Sequence, residues 1–241
     1  MTFDQGPSQY TGMLLSTLAK NKVKATFHVS PDYLDNPVIV AYLRRIATDG
    51  HLVGLFIKDS ISGAKLPDYL RNCTALIKPI INYEPNYLRF PVPGPNPSVM
   101  KLITGMGFRV SSYNLDSQDY NFVNDSTGGD GKGQIFQVFK STLDQILPPA
   151  KGSFISVQRD IVLASVQQTD AIIKYAKEKG YNLVRLDQCL GNDDVKGPSK
   201  DDKDPKPDGI AGPTGDDVDG RKTKKQSDGG NAFSMHPFIL I

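Results

Sequence analysis

Short apolar runs alternate with longer segments whose apolar residues recur at three- and four-residue spacing. Ser8 to Lys20 follows a Gly-Pro pair and has this helical spacing. Lys24 to Val29 is a compact apolar run stopped by Ser30-Pro31, as in a buried strand. Pro37 to Asp49 is helical and ends at Gly50, a common stop. His51 to Phe56 is strand-like, Pro67 to Ile81 is helical, and Tyr87 to Phe90 is short and extended. The pattern goes on as a helix over Ser98 to Met106, a strand over Phe108 to Asn114 and a helix over Gln134 to Leu147. It closes with a strand over Ser153 to Val157, a helix over Ala164 to Lys179 and a last strand over Asn182 to Leu186. Met1-Thr2-Phe3-Asp4 reads as the end of one more strand whose beginning is missing.

Strands alternating with helices of ten to fifteen residues predict an α/β fold with a parallel sheet built from βα units. About seven such units suit a distorted (β/α) barrel better than an open sheet. Parallel barrels carry their chemistry at the C-terminal ends of the strands. Residues 1–191 form the expected domain. From Gly191 to Asn231 the chain turns to Asp, Lys, Gly and Pro, a composition that predicts a solvated, disordered spacer within 192–241. The closing Ala232 to Ile241 is apolar again, either the start of an anchor signal or a tail that docks on the barrel.

Composition narrows the function classes. A net charge of +2 over 241 residues argues against a nucleic-acid partner, which calls for clustered basic residues. No apolar stretch reaches the roughly 18 to 20 residues of a membrane span, and no secretory signal is visible at the N-terminus. Two cysteines, Cys73 and Cys189, do not define a disulfide framework. They read as two buried thiols, or Cys189 has lost a partner upstream.

Five motifs fall at the predicted strand ends. Thr2-Phe3-Asp4-Gln5-Gly6-Pro7 is followed by Gly50-His51-Leu52-Val53-Gly54-Leu55 leading to Phe56 and Ser60. Arg89-Phe90-Pro91-Val92-Pro93 comes next, then Tyr113-Asn114-Leu115-Asp116-Ser117-Gln118-Asp119-Tyr120. The last is Phe154-Ile155-Ser156-Val157-Gln158-Arg159-Asp160-Ile161, and Cys189-Leu190-Gly191 closes the domain. In this order and spacing the chain resembles the polysaccharide deacetylases, with a fungal, chitin deacetylase flavour in the last motif and in Cys189-Leu190-Gly191. The resemblance implies hydrolysis of an N-acetyl amide with zinc or another divalent metal, on chitin, peptidoglycan or another N-acetylated glycan. It also implies an extracellular, cell-surface or spore- or cell-wall setting.

The same resemblance shows what has been replaced. The family places a general base at Asp4, metal ligands at Gln5, Phe56 and Ser60, and a proton-donating histidine at Arg159. A neutral amide, a phenyl ring and a hydroxyl do not make a zinc site, so no metal cofactor is expected. An arginine keeps its proton and cannot act as general acid. Arg89, Pro91, Tyr113, Asp119, Tyr120 and Asp160 remain as groove residues, the tyrosines as walls on which a sugar ring stacks. The carboxylates would face each other without a cation, so Arg89 is expected to balance Asp4, and Arg159 to balance Asp119 or Asp160. His51 reads as a structural histidine, and His28 as a packed one standing where the family usually has Phe. Three functions stay open: a catalytically inactive deacetylase-like protein that binds an N-acetylglucosamine-containing glycan, a structural protein without ligand, and an active deacetylase with an atypical metal site drawn from Asp4, His28 and His51.

Overall fold

The computed structural model describes residues 1–58, 61, 63–124, 131–145, 152–191 and 239–240. The expected spacer and most of the apolar tail, 192–238, lie outside the described residues. Seven strands form one parallel sheet: β1 (Thr2–Asp4), β2 (Thr26–Val29), β3 (Leu52–Phe56), β4 (Tyr87–Arg89), β5 (Arg109–Val110), β6 (Leu115–Asp116) and β7 (Ser156–Arg159), in the order β5-β4-β3-β2-β1-β7-β6. Helices α1 (Thr11–Lys20), α2 (Pro37–Thr48), α3 (Leu66–Ile81), α4 (Pro97–Gly105), α5 (Gly131–Gln145) and α6 (Leu163–Glu178) follow or join these strands.

The two sheet edges, β5 and β6, are consecutive in the chain. Val110 and Leu115 are five Cα steps apart, so the edges lie within about 18 Å of each other. A flat sheet of seven strands would separate them by about 29 Å. The sheet therefore curls into an incomplete barrel, with residues 111–114 strapped across the seam.

Side-chain alternation sorts the two faces. Phe3 and Phe27 stack with ring centroids 5.4 Å apart in the hydrophobic core, which also takes in Leu14, Leu15 and Leu18 of α1 and Ile172 and Ile173 of α6. The other face turns Thr2, Asp4 and His28 into the concave interior. Arg89 Nη2 donates to Thr2 Oγ1 at 3.2 Å, although β2 and β3 lie between their strands. Only a path through the interior of the curl allows that contact.

Local signals set the element ends. Asn36 caps α2, its side chain accepting the Val38 N–H at 2.9 Å, and Pro37 needs no N–H in the first turn. The chain leaves α2 through Gly50 at φ 79°, a conformation that is cheap only without a Cβ. Of the strand expected over Phe108 to Asn114 only β5 forms, and β6, just beyond that span, is a separate short strand on the opposite edge. The last expected strand shrinks to β8 (Asn182–Leu183), followed by the single-turn α7 (Leu186–Cys189). β8 pairs in parallel with β9 (Ile239–Leu240), outside the seven-stranded sheet. Cys73 and Cys189 are both free thiols. No helix among the described residues is long and apolar enough to cross a membrane.

Candidate functional site

The strand ends open into a cleft of about 630 Å³ lined by Asp4, Gln5, Phe56, Lys58, Phe90, Pro91, Val92, Tyr113, Asp116, Tyr120, Val157 and Arg159. Register explains the assembly. Asp4, last residue of β1, lies opposite His28 on one side and Arg159 on the other, and Phe56 lies opposite Arg89. Gln5 then leaves the strand at φ 73°, with its N–H donating to His28 O at 3.0 Å. A left-handed conformation costs a residue with a side chain on the order of 1 kcal/mol. It turns the chain sharply at the cleft floor.

Asp4 is buried, with His28 Nδ1 2.8 Å from Oδ1 and Arg89 Nε 3.7 Å from Oδ2. The second distance balances charge without a hydrogen bond. Arg89 is only 1% exposed, and its Nε and Nη1 have no hydrogen-bond partner among the described residues. Its guanidinium stands 5.3 Å from the Tyr113 ring centre. Burial holds the Arg89 pKa below its ordinary value, and Asp4 acts against that. Burial also raises the Tyr113 hydroxyl, helped by Asp116.

On the opposite wall, Arg159 Nη1 donates to Asp119 Oδ1 and the Arg159 backbone N–H donates to Oδ2, both at 2.6 Å. Its guanidinium lies 5.2 Å from the ring centre of Tyr120. Asp119 is fully buried. Burial pushes its pKa up, and Arg159 opposes the shift.

Of the two carboxylates expected for Arg159, Asp119 takes the contact and Asp160 does not. Asp160 is enclosed, away from the cleft lining. Its Oδ2 accepts from Thr11 Oγ1 at 2.6 Å, and burial drives its pKa up to about 7. Gly6 packs against this carboxyl so closely that a Cβ there would fall 1.9 Å from Oδ1. Asp160, expected in the groove, is not among the residues that line the cleft and packs behind Gly6.

The residues do not fit the family's metal. Phe56 brings a ring with no donor, Gln5 brings a neutral amide, and Ser60 lies outside the described residues. Among the described residues, no three of His, Cys, Asp and Glu stand together so as to hold an ion. The atypical set of Asp4, His28 and His51 does not assemble either. His51 Nδ1 accepts the Ala25 N–H at 3.0 Å, at the far end of β2 from His28. That end is about 10 Å away along the strand.

Several cleft residues escaped the sequence reading. Lys58 lines the cleft and pairs with Asp32. Asp116 lines it too, with Oδ1 accepting the Gln118 N–H at 2.9 Å. Ser111 lies behind the cleft, 2.8 Å from His28 Nε2. Asp116 sat inside a motif that could have flagged it; Lys58 and Ser111 carried no pattern.

Comparison with known proteins agrees with this architecture. A sequence model of the polysaccharide deacetylase family matches residues 1–111. The chain is 27% identical to a chitin deacetylase of Colletotrichum lindemuthianum over 203 residues, 80% of this chain and 79% of the relative. It is 31% identical over 193 residues to a peptidoglycan-N-acetylglucosamine deacetylase of Bacillus cereus, covering 76% of this chain and 67% of the relative. The solved structure of the Colletotrichum enzyme superposes with a TM-score of 0.72 at 26% identity, over 79% of this chain and 86% of that one. The chain belongs to the polysaccharide deacetylase family, and its curled seven-stranded sheet is that family's (β/α) barrel.

Proposed function

We propose that this protein is a non-catalytic member of the family that holds an N-acetylglucosamine-containing glycan in the old substrate cleft without cleaving its amide. The Arg159–Asp119 clamp carries this reading. Amide hydrolysis needs an activated water and a group that hands a proton to the departing amine. At the place where the family has its proton donor stands a guanidinium that keeps its proton, locked at 2.6 Å onto a buried carboxylate. Phe56 and Gln5 occupy the floor in place of metal donors. Tyr113 and Tyr120 offer ring faces to a sugar, and Gln5, Asp116 and Asp4 offer polar contacts. Chitin or peptidoglycan, named for the relatives, supplies the ligand class, and a wall-associated setting outside the cell suits such a ligand.

The test measures acetate release from N-acetylglucosamine oligomers with and without zinc or cobalt, together with metal content and oligomer binding by calorimetry. Binding without acetate release is expected. Metal-dependent release by the purified chain would overturn the reading. A variant with Gln5→Asp, Phe56→His, Ser60→His and Arg159→His should take up one equivalent of zinc, which the parent chain does not.

A further inference from the structure

Behind the cleft floor runs a line of three side chains: Asp4 Oδ1, His28 Nδ1 at 2.8 Å, and Ser111 Oγ 2.8 Å from His28 Nε2. It joins β1, β2 and the segment after β5 through the barrel interior. All three residues are at least nine-tenths buried, His28 completely. Room for the ring is built in: a Cβ on Gly54 would stand 2.8 Å from His28 Cδ2.

The hydrogen-bond inventory fixes where the protons are. A carboxylate only accepts, so Nδ1 carries the hydrogen and Nε2 presents its lone pair to the Ser111 hydroxyl. The one Ser111 hydroxyl proton has two acceptors in reach, Leu88 O at 3.1 Å and His28 Nε2 at 2.8 Å. Leu88 O also accepts the Ser111 backbone N–H at 2.8 Å, whereas Nε2 has no other donor among the described residues, so donation to His28 leaves both acceptors satisfied. Burial first, and the Arg89 charge second, hold the His28 pKa down and keep the ring neutral.

The three residue types match those of a nucleophilic triad, but the order relative to the cleft is reversed. Asp4 lines the cleft, whereas His28 and Ser111 are enclosed behind it. A hydroxyl sealed from substrate is no nucleophile. What the line does is occupy one oxygen of Asp4 and aim the other. Oδ2 has no hydrogen bond among the described residues, and Arg89 stands 3.7 Å from it. That oxygen is a charged acceptor at the cleft floor, held in one orientation with its countercharge out of bonding reach.

We propose that His28 and Ser111 are positioning residues that hold Asp4 as the hydrogen-bond acceptor for a hydroxyl or amide N–H of the bound sugar. The proposal rests on the glycan-binding reading above and gives its floor a specific chemistry.

Two readouts test it. Long-range proton–nitrogen correlation spectra of histidine-labelled protein at pH 7 should show His28 neutral with the proton on Nδ1. A proton on Nε2 would overturn the relay. Calorimetry with N-acetylglucosamine oligomers then compares His28→Phe, His28→Asn and Ser111→Ala, each checked for folding by circular dichroism. His28→Phe keeps the volume and removes both bonds, and should weaken binding about tenfold. His28→Asn restores a donor near the Nδ1 position and should recover affinity to within about threefold of the parent. Unchanged affinity in folded His28→Phe would overturn the proposal. Should that variant fail to fold, Ser111→Ala decides: it leaves His28 Nε2 without its donor and should weaken binding, and wild-type affinity in the folded variant overturns the proposal. If the parent chain binds no oligomer, the glycan reading falls, and the Nδ1 tautomer alone tells whether the relay stands.

Discussion

Two arginine–aspartate pairs flank the same cleft, each arginine beside a tyrosine ring, yet the pairs do different things. Arg159 and Asp119 touch at 2.6 Å, and the strand backbone of Arg159 supplies a second bond of the same length, so both carboxylate oxygens are used. Arg89 and Asp4 approach only to 3.7 Å, and two guanidinium nitrogens remain without partners among the described residues. The first pair is a clamp that fixes a wall. The second balances charge and leaves a carboxylate oxygen available. Asp160, with a hydroxyl partner and no arginine beside it, shows what a buried carboxylate does with neither arrangement: its pKa climbs to about 7.

The sharpest way to break this contrast is Asp119→Ala. It strips both bonds from Arg159 and should cost about 3 kcal/mol in denaturant unfolding, as for broken buried pairs. A cost under about 1 kcal/mol would place the clamp among exposed pairs.

Asp160→Asn tests the unpaired carboxylate through pH. The folded chain keeps a proton up to about pH 7 that the unfolded chain releases near pH 4. Stability from that proton is complete below about pH 4 and is lost as pH rises to 7. The difference between variant and parent should therefore shift in the variant's favour by roughly 4 kcal/mol from pH 4 to pH 8. His51, lowered to about 3 by burial, acts in the opposite sense in both proteins, since its contribution is lost as pH falls from about 6.5, and it cancels in the difference. A flat difference would mean that Asp160 titrates like an exposed acid.

Double-mutant cycles compare the pairs directly. Arg89→Met with Asp4→Asn should show coupling below about 1 kcal/mol, whereas Arg159→Met with Asp119→Asn should exceed it. Equal couplings would erase the distinction between clamp and charge balance. The smallest effect is expected at Tyr120→Ala. The residue is 48% exposed, so unfolding stability should change by no more than about 0.5 kcal/mol, while oligomer affinity falls.

Much of this could be read from the sequence where one residue type fixes one geometry. The helix over Pro37–Thr48 is bracketed by Asn36 and Gly50, which act within a turn of themselves, and its span matched the expectation within a residue. The strand over Phe108 to Asn114 failed for the opposite reason. Its apolar pattern is real, but only Arg109–Val110 pairs, with Tyr87–Leu88, while the next strand, Leu115–Asp116, pairs with Ser156–Val157 on the opposite edge, partners that no local pattern reveals. The same limit applies in the site. Family motifs pointed to Arg89 and Arg159, but the choice of Asp119 over Asp160 arises because Asp160, next to Arg159 in the chain, turns to Thr11, while Asp119 reaches Arg159 from the segment after β6. His28 was legible as a packed residue only. Its bonds to Asp4 and Ser111 join residues 24 and 83 positions away.

The strand order has a consequence for how the chain is made. β1 precedes the other six strands of this sheet in the chain, yet it lies inside the sheet, between β2 and β7. Residues up to Val110 contain five adjacent strands that can assemble as they emerge, but the other edge of β1 stays bare until Ser156–Arg159 follow. At ordinary synthesis rates that gap between β2 and β7 amounts to several seconds or more. For that interval the nascent sheet carries an open edge that neighbouring chains can extend, so its solubility depends on how quickly the last strand slots in.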